Sequence, residues 1–484
     1  CKGEALQCVY SRIKIQNMST NIVEVAVFGL GTMGLNLSLN ILEKGFKVSA
    51  YDIKEEARKN FYNSSGINAY SDVKLLIKDI SKPRIIWLML PSGDCTDSQL
   101  NNLKSLLSSG DLIIDGGNSL FLDTIRRQDE FNELGIYFVG LGISGGYAGA
   151  RNGPSLMVGG EEKAVEIIRP ILNAISATAN DGSNCVYESV SGAGHLIKTV
   201  HNGIEYAIMQ LIAESYYVLR NLGKTDCKTI SKIFSKWNNT NIGSYLLEIT
   251  SLILAEDDDF SNQSLIDVIV DSADQNGTGS WSSIAALEFG IYSSIITESV
   301  NLRYLSELLD EREILSYRYA TNIDPTPNSS NNSLDIMTSD LYASLTNSII
   351  CAYAEGFSII KKVSVDKGWN VDLAGVAKVW SGGCIIRSDL LKILEKGLVD
   401  NDNIFLNDEI VEIISSNLDG WRKTIIRSIE NHIPSPIMST SLSFFDCYSN
   451  PKLWFNLIQA QRDKFGNHGF DRIDGREDKH HNWR

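Results

Sequence analysis

The chain has 484 residues, 43% of them hydrophobic and 21% charged, with a formal net charge of −15. That balance describes a globular protein with room for two or three domains. The acidity argues against bulk binding to nucleic acid or an anionic membrane, and no apolar run reaches the ~18 residues that span a bilayer.

The first twenty residues lack the continuous apolar core of a secretory signal. They are read as a leader or a remnant upstream of Met18. An organellar transit segment is the alternative, so a cytoplasmic location is expected with targeting left open. Eight cysteines are scattered without a CxxC pair or a cluster with His. Reduced thiols are expected, and no zinc site.

Residues 21–193 read as a dinucleotide-binding domain. The run IVEVAVFGLGTMG passes from a short apolar strand into Gly29-Leu30-Gly31-Thr32-Met33-Gly34, and LNLSLNILEKG continues at helical spacing. Strand, GxGxxG and helix in that order account for all three glycines, through the tight turn, the backbone approach to a diphosphate, and helix-on-strand packing. A second strand ends at Asp52, where an acidic residue accepts from both ribose hydroxyls and favours NAD. Lys54, two residues on, suits a 2′-phosphate, so NAD and NADP both stay open. Ile53 lies between them. Further apolar runs at 85–90, 111–117 and 136–144 alternate with helical stretches. They predict a Rossmann-like, doubly wound parallel sheet with right-handed crossovers. Met89, Leu90 and Pro91 end one run and Asn118 follows another, at the strand ends where ligands bind.

Residues 194–452 read as a large all-α domain, 453–484 as an extended polar tail, and 322–333 as an exposed loop. Within the helical part stands KTVHNGIEY. On a helix its Lys198, His201, Asn202 and Glu205 fall at i, i+3, i+4 and i+7, one face, preceded by the small stretch Ser191-Gly192-Ala193-Gly194. A desolvated Lys serves as a base and a Glu in the same pocket as an acid, while Asn202 and His201 can hold substrate oxygens.

From about residue 21 to its end the chain resembles the long form of 6-phosphogluconate dehydrogenase. The resemblance rests on GLGTMGLNL, DGGNSLFLDTIRR, ISGGYAGAR, GHLIKTVHNGIEYAIMQ, GTGSW, WSGGCIIR and QAQRDKFGNHGF, in that order. It implies oxidation of 6-phosphogluconate at C3 with NADP, loss of CO₂, and protonation of the enol to ribulose 5-phosphate, without a metal. It implies that Lys198 takes the C3 hydroxyl proton and Glu205 protonates the enol carbon. Asn118, Ser144, Gly145, Gly146, His201 and Asn202 would line the sugar-acid end. Tyr206, Arg303, Arg462 and His468 match the family's phosphate positions. The tail would reach the neighbouring subunit's site, which implies a homodimer.

Three departures stand out. Ser280 replaces the family's phosphate-holding Lys in GTGKW, a loss of ~1–3 kcal/mol. Tyr147 replaces the Glu after Ser-Gly-Gly. Asp52-Ile53-Lys54 replaces Asn-Arg-Thr, so relaxed NADP specificity, with NAD use, is expected. WLMLPSG is also more similar to the shorter, often NAD-preferring members. Two other readings follow: a related β-hydroxyacid dehydrogenase using NAD, which the phosphate-reading arginines oppose, and a catalytically weakened nucleotide-binding paralogue, which Lys198 and Glu205 oppose.

Overall fold

The computed structural model describes residues 23–179, 181–275, 277–319 and 334–483. The leader reading of 1–20 and the loop reading of 322–333 lie outside them.

Seven strands form one sheet: β1 Glu24–Phe28, β2 Lys47–Tyr51, β3 Ile85–Leu88, β4 Leu112–Asp115, β5 Tyr137–Ser144, β6 Ser155–Gly159 and β7 Val186–Ser189. Their order is β2-β1-β3-β4-β5-β6-β7. The strands are short apolar runs because both faces of the sheet are covered. Val25, Val27, Ile85 and Trp87 enter one core, and Ala26, Phe28, Ile86 and Leu88 the other. Between them run α1 Thr32–Glu43, α2 Glu55–Ser65, α3 Val73–Asp79, α4 Asp94–Lys104, α5 Phe121–Asn132, α6 Gly146–Asn152 and α7 Glu162–Ile175.

Parallel pairing from β2 to β5 follows the expected crossovers. The end of the sheet does not, since β6 runs antiparallel to β5. The short helix α6 and Gly153-Pro154 reverse the chain there without a long crossover. The strands are also trimmed. Ending β3 at Leu88 and β4 at Asp115 frees residues 89–91 and 116–119 as loops at the strand ends.

The rest is helical: α8 Ala193–Asn221, α9 Cys227–Trp237, α10 Tyr245–Ala255, α11 Thr278–Glu288, α12 Ser294–Ser306, α13 Leu309–Arg318, α14 Leu334–Lys367, α15 Leu373–Trp380, α16 Leu390–Asp400, α17 Asp408–Glu430, α18 Pro436–Tyr448 and α19 Phe455–Gly466. The spine is α8, 29 residues and about 43 Å long at ~1.5 Å per residue. Its first turns lie on β5 and β6, and its later turns pack on α14, α11 and α12. A single helix therefore joins the sheet to the helical core. The tail opens with α19 and runs irregularly only after it, so it is extended over its second half alone. Among the described residues no helix is long and apolar enough to cross a membrane.

Candidate active site

The nucleotide end is built where β1 turns into α1. Gly29 stands at φ +94°, and a Cβ there would lie 2.4 Å from the Met89 carbonyl oxygen. A Cβ on Gly34 would lie 1.9 Å from the Gly29 carbonyl oxygen, while one on Gly31 would meet nothing within 4 Å. Turn and packing thus need two glycines, and the third leaves room for a ligand. Gly31 caps α1 without a side-chain bond, and Thr32 and Met33 form its first turn. The N–H groups of that turn have no intrahelical partner, which suits a diphosphate.

Asp52 is more committed than its position in the sequence suggests. Its Oδ2 accepts from Leu30 N at 2.7 Å and its Oδ1 from Lys54 N at 2.7 Å. The carboxylate therefore shapes the glycine turn itself. Ile53 and Lys54 are exposed beside it. The sequence reading missed Arg58, whose Nη1 donates to the carbonyl oxygens of Asp52 at 2.7 Å and Ile53 at 3.0 Å. Its place four residues beyond Lys54, at the start of a helix, was the available signal.

Met89, Leu90 and Pro91 follow β3, and Gly116 to Asn118 follow β4. A Cβ on Gly117 would lie 2.8 Å from the Leu90 carbonyl oxygen, so the two loops press together. Asn118 is exposed at their tip. Beneath it, Asp115 Oδ1 accepts from Gly117 N, and Oδ2 accepts from Ser119 Oγ at 2.7 Å and Arg127 Nη1 at 3.0 Å. Arg127, 1% exposed, also donates to Asp97. This buried pair holds the Asn118 loop, and removing one partner would leave the other charge uncompensated. Sequence reasoning places neither residue in the site.

The polar face of α8 lies where this sheet meets the helical core. Gly142 of β5 lets α8 close in, since a Cβ there would lie 2.5 Å from the Lys198 Cβ. Lys198 is buried. Burial lowers its pKa from the usual lysine range, opposed by the charge of Glu205. His201 is fully buried, and burial with the charge of Lys198 holds its pKa well below the usual value, so it is neutral. Its Nδ1 lies 3.2 Å from Asn202 Oδ1 and its Nε2 2.9 Å from Ser144 Oγ. Asn202 Nδ2 donates to Thr278 Oγ1 at 2.9 Å, which turns Oδ1 toward the ring. The proton then belongs on Nδ1, and Ser144 donates to Nε2. Glu205 Oε2 lies 3.6 Å from His201 Nδ1, with 21% of its side chain exposed. Burial raises its pKa, against the charges of Lys198 and Arg303. Gly145 and Gly146 follow Ser144 and lead into α6, with Tyr147 exposed beside them.

Tyr206 carries the site one residue further along α8. A Cβ on Gly279 would lie 2.7 Å from its ring, so α11 can approach only because of that glycine. Ser280, in the first turn of α11, donates to the Gly277 carbonyl oxygen at 2.6 Å. The Arg303 guanidinium, from α12, lies 5.0 Å from the centre of the Tyr206 ring. Thr278 is another contributor that the sequence reading leaves out. Arg462 and His468 are not gathered here. They sit exposed in the tail, where Arg462 Nη1 donates to Gln459 Oε1 at 3.2 Å and His468 packs on Phe465.

Residues 24–190 match the NAD binding domain of 6-phosphogluconate dehydrogenase, and residues 194–483 match the 6-phosphogluconate dehydrogenase C-terminal domain. An NAD(+)-dependent, decarboxylating 6-phosphogluconate dehydrogenase of Bacillus subtilis is 40% identical over 467 residues, 95% of this chain and 99% of its own length. A decarboxylating 6-phosphogluconate dehydrogenase of Staphylococcus epidermidis matches with the same identity and coverage. The solved Plasmodium falciparum 6-phosphogluconate dehydrogenase, described apo, with its cofactor NADP+ and with its substrate 6-phosphogluconate, superposes with a TM-score of 0.91 at 35% identity. The match covers 95% of this chain and 100% of that one. With both halves matched in order, the chain belongs to the 6-phosphogluconate dehydrogenase family.

Proposed function

We propose that this chain oxidises and decarboxylates 6-phosphogluconate to ribulose 5-phosphate and CO₂, with NADP or NAD as oxidant. The observation that carries this reading is the pairing on one helix of a buried lysine with lowered pKa and a glutamate with raised pKa. A lysine made easier to deprotonate and a glutamate made easier to protonate can divide the roles of base and acid between them.

Lys198, in its neutral form, takes the proton of the C3 hydroxyl. The Gly29 to Gly34 turn would hold the diphosphate of a dinucleotide, whose nicotinamide would accept the C3 hydride when bound. The new ammonium of Lys198 then lies against the C3 ketone oxygen and stabilises the enolate as the C1 carboxylate leaves as CO₂. Glu205, whose pKa burial raises, delivers a proton to the enol carbon. Asn118, Ser144, Gly145, Gly146, His201 and Asn202 orient the sugar acid. A neutral His201 does so without adding a second cation beside Lys198.

Tyr206, Ser280 and Arg303 take the phosphate end, completed by Arg462 and His468 of the partner subunit. Support for a dimer with exchanged tails lies in α19, which leaves Phe455 63% and Phe465 75% exposed. Apolar surface of that kind marks a contact face. For the adenosine end, the Asp52 carboxylate favours NAD, whereas Arg58 and Lys54 favour NADP.

Incubation with 6-phosphogluconate tests the reading. Reduced cofactor and CO₂ are expected in equal amounts, with either NADP or NAD. Reduced cofactor without CO₂ would instead identify a simple hydroxyacid dehydrogenase.

A further inference from the structure

One carboxylate organises the whole tail. Asp463, on α19, has 0% of its side chain exposed, although most of its neighbours are open. Its Oδ1 accepts from Gly469 N at 3.0 Å and from His480 Nδ1 at 2.8 Å. Its Oδ2 accepts from Trp483 Nε1 at 2.7 Å and His481 N at 3.2 Å. Four donors on one carboxylate are a strong, charge-assisted set. They bend the chain twice: once over residues 463–469, and again to bring residues 480–483 back to the helix.

Other bonds serve the same shape. Gln459 Nε2 donates to the Gly469 carbonyl oxygen, while Gln459 Oε1 accepts from Arg462. Phe470 N donates to the Lys479 carbonyl oxygen at 2.7 Å. Asn467 ends α19 in the left-handed region at φ 51°. The ring of His468 stands edge-on to Phe465, 5.9 Å away. The two ends of the small loop, Asp463 and Gly469, are the immediate chain neighbours of Arg462 and His468.

We infer that Asp463 is a positioning residue. By clasping Gly469, His480, His481 and Trp483, it fixes Arg462 and His468 in one arrangement before they meet a phosphate. The inference rests on the reading that these two residues bind the substrate phosphate. A carboxylate would repel that dianion, so its own place is behind them. Groups ordered beforehand lose less entropy on binding than groups on a loose tail. The last residues of the chain therefore govern substrate affinity without touching substrate.

Steady-state kinetics of the full-length protein test this with three variants: Arg462→Ala, Asp463→Asn and Trp483→Phe. Asp463→Asn is expected to raise KM for 6-phosphogluconate about tenfold, with kcat within about twofold and cofactor KM unchanged. Trp483→Phe, which removes one donor and keeps an aromatic ring, should raise it about threefold in the same way. Arg462→Ala should exceed both. If Arg462→Ala weakens binding and Asp463→Asn leaves KM at the wild-type value, the clasp is overturned and the phosphate reading stands. An unchanged KM in Arg462→Ala removes that reading and the inference with it. A parallel fall of kcat and both affinities in Asp463→Asn, with a lower melting temperature, would show a structural role alone and also overturn the inference.

Discussion

At the scale of single residues, chemistry is set by what surrounds each group. Lys198 and Glu205 are ordinary residue types whose pKa values burial moves in opposite directions. Ser280 is the weak point of the phosphate end. The first turn of α11 offers N–H groups there, worth about 0.3–1 kcal/mol to an anion, whereas a lost charged hydrogen bond costs ~1–3 kcal/mol. Ser280→Lys should therefore lower KM for 6-phosphogluconate roughly five- to 150-fold, with kcat little changed. An unchanged KM would mean that Arg303, Arg462 and His468 already saturate the phosphate. Asp52→Asn keeps an acceptor for Leu30 N and removes the charge. It should shift the ratio of kcat/KM for NADP over NAD upward by about tenfold, and a ratio that stays put would assign cofactor choice to Arg58 and Lys54. The α8 face was legible in the sequence because helical period alone brings 198, 201, 202 and 205 together. Arg127, Asp115 and Thr278 were not, because each acts through a partner on another element, and no local pattern announces that; Arg58 had only its place on the helix after Lys54 to mark it.

At the scale of elements, two buried glutamates hold helix N-termini. Glu214 of α8 accepts from Ile437 N at 2.9 Å and Met438 N at 3.1 Å, at the start of α18. Glu355 of α14 accepts from Ile295 N and Ile296 N, each at 3.0 Å, at the start of α12. Burial outweighs these donors and pushes the pKa values up to about 7 and about 8. A folded-state pKa raised above the unfolded value means that the folded protein holds the proton more tightly. The stabilisation is full below the usual glutamate pKa and is lost as pH rises through about 7 and about 8. The melting temperature should fall across that window, and Glu355→Gln should flatten the fall. A melting temperature that rises with pH there would contradict the assignment. The first five strands were readable because most are apolar runs between turn residues, and β2, KVSAY, leads into Asp52 where the glycine motif calls for an acidic residue. The last two were not. β6 follows Gly153-Pro154 after only a short helix, and β7, VYES, is a half-exposed edge strand without an apolar run.

At the scale of the molecule, a glycine turn built to face a diphosphate and a helix built to bury a lysine meet along β5. In the proposed dimer, Arg462 and His468 of the partner subunit supply the last cations. In this chain α19 stands with its apolar side chains open, and its Asp463 clasps groups from residues 469–483. Tail exchange predicts that the dimer, not the monomer, is the active unit. The central claim is that Lys198 takes the first proton and then supports decarboxylation. Its direct test is the turnover of 6-phosphogluconate by Lys198→Ala, compared with the wild type under saturating NADP and NAD. Lys198→Ala should lose about 10²–10⁴-fold in kcat, with cofactor affinity and melting temperature preserved. A variant that keeps more than about a tenth of wild-type turnover would contradict it.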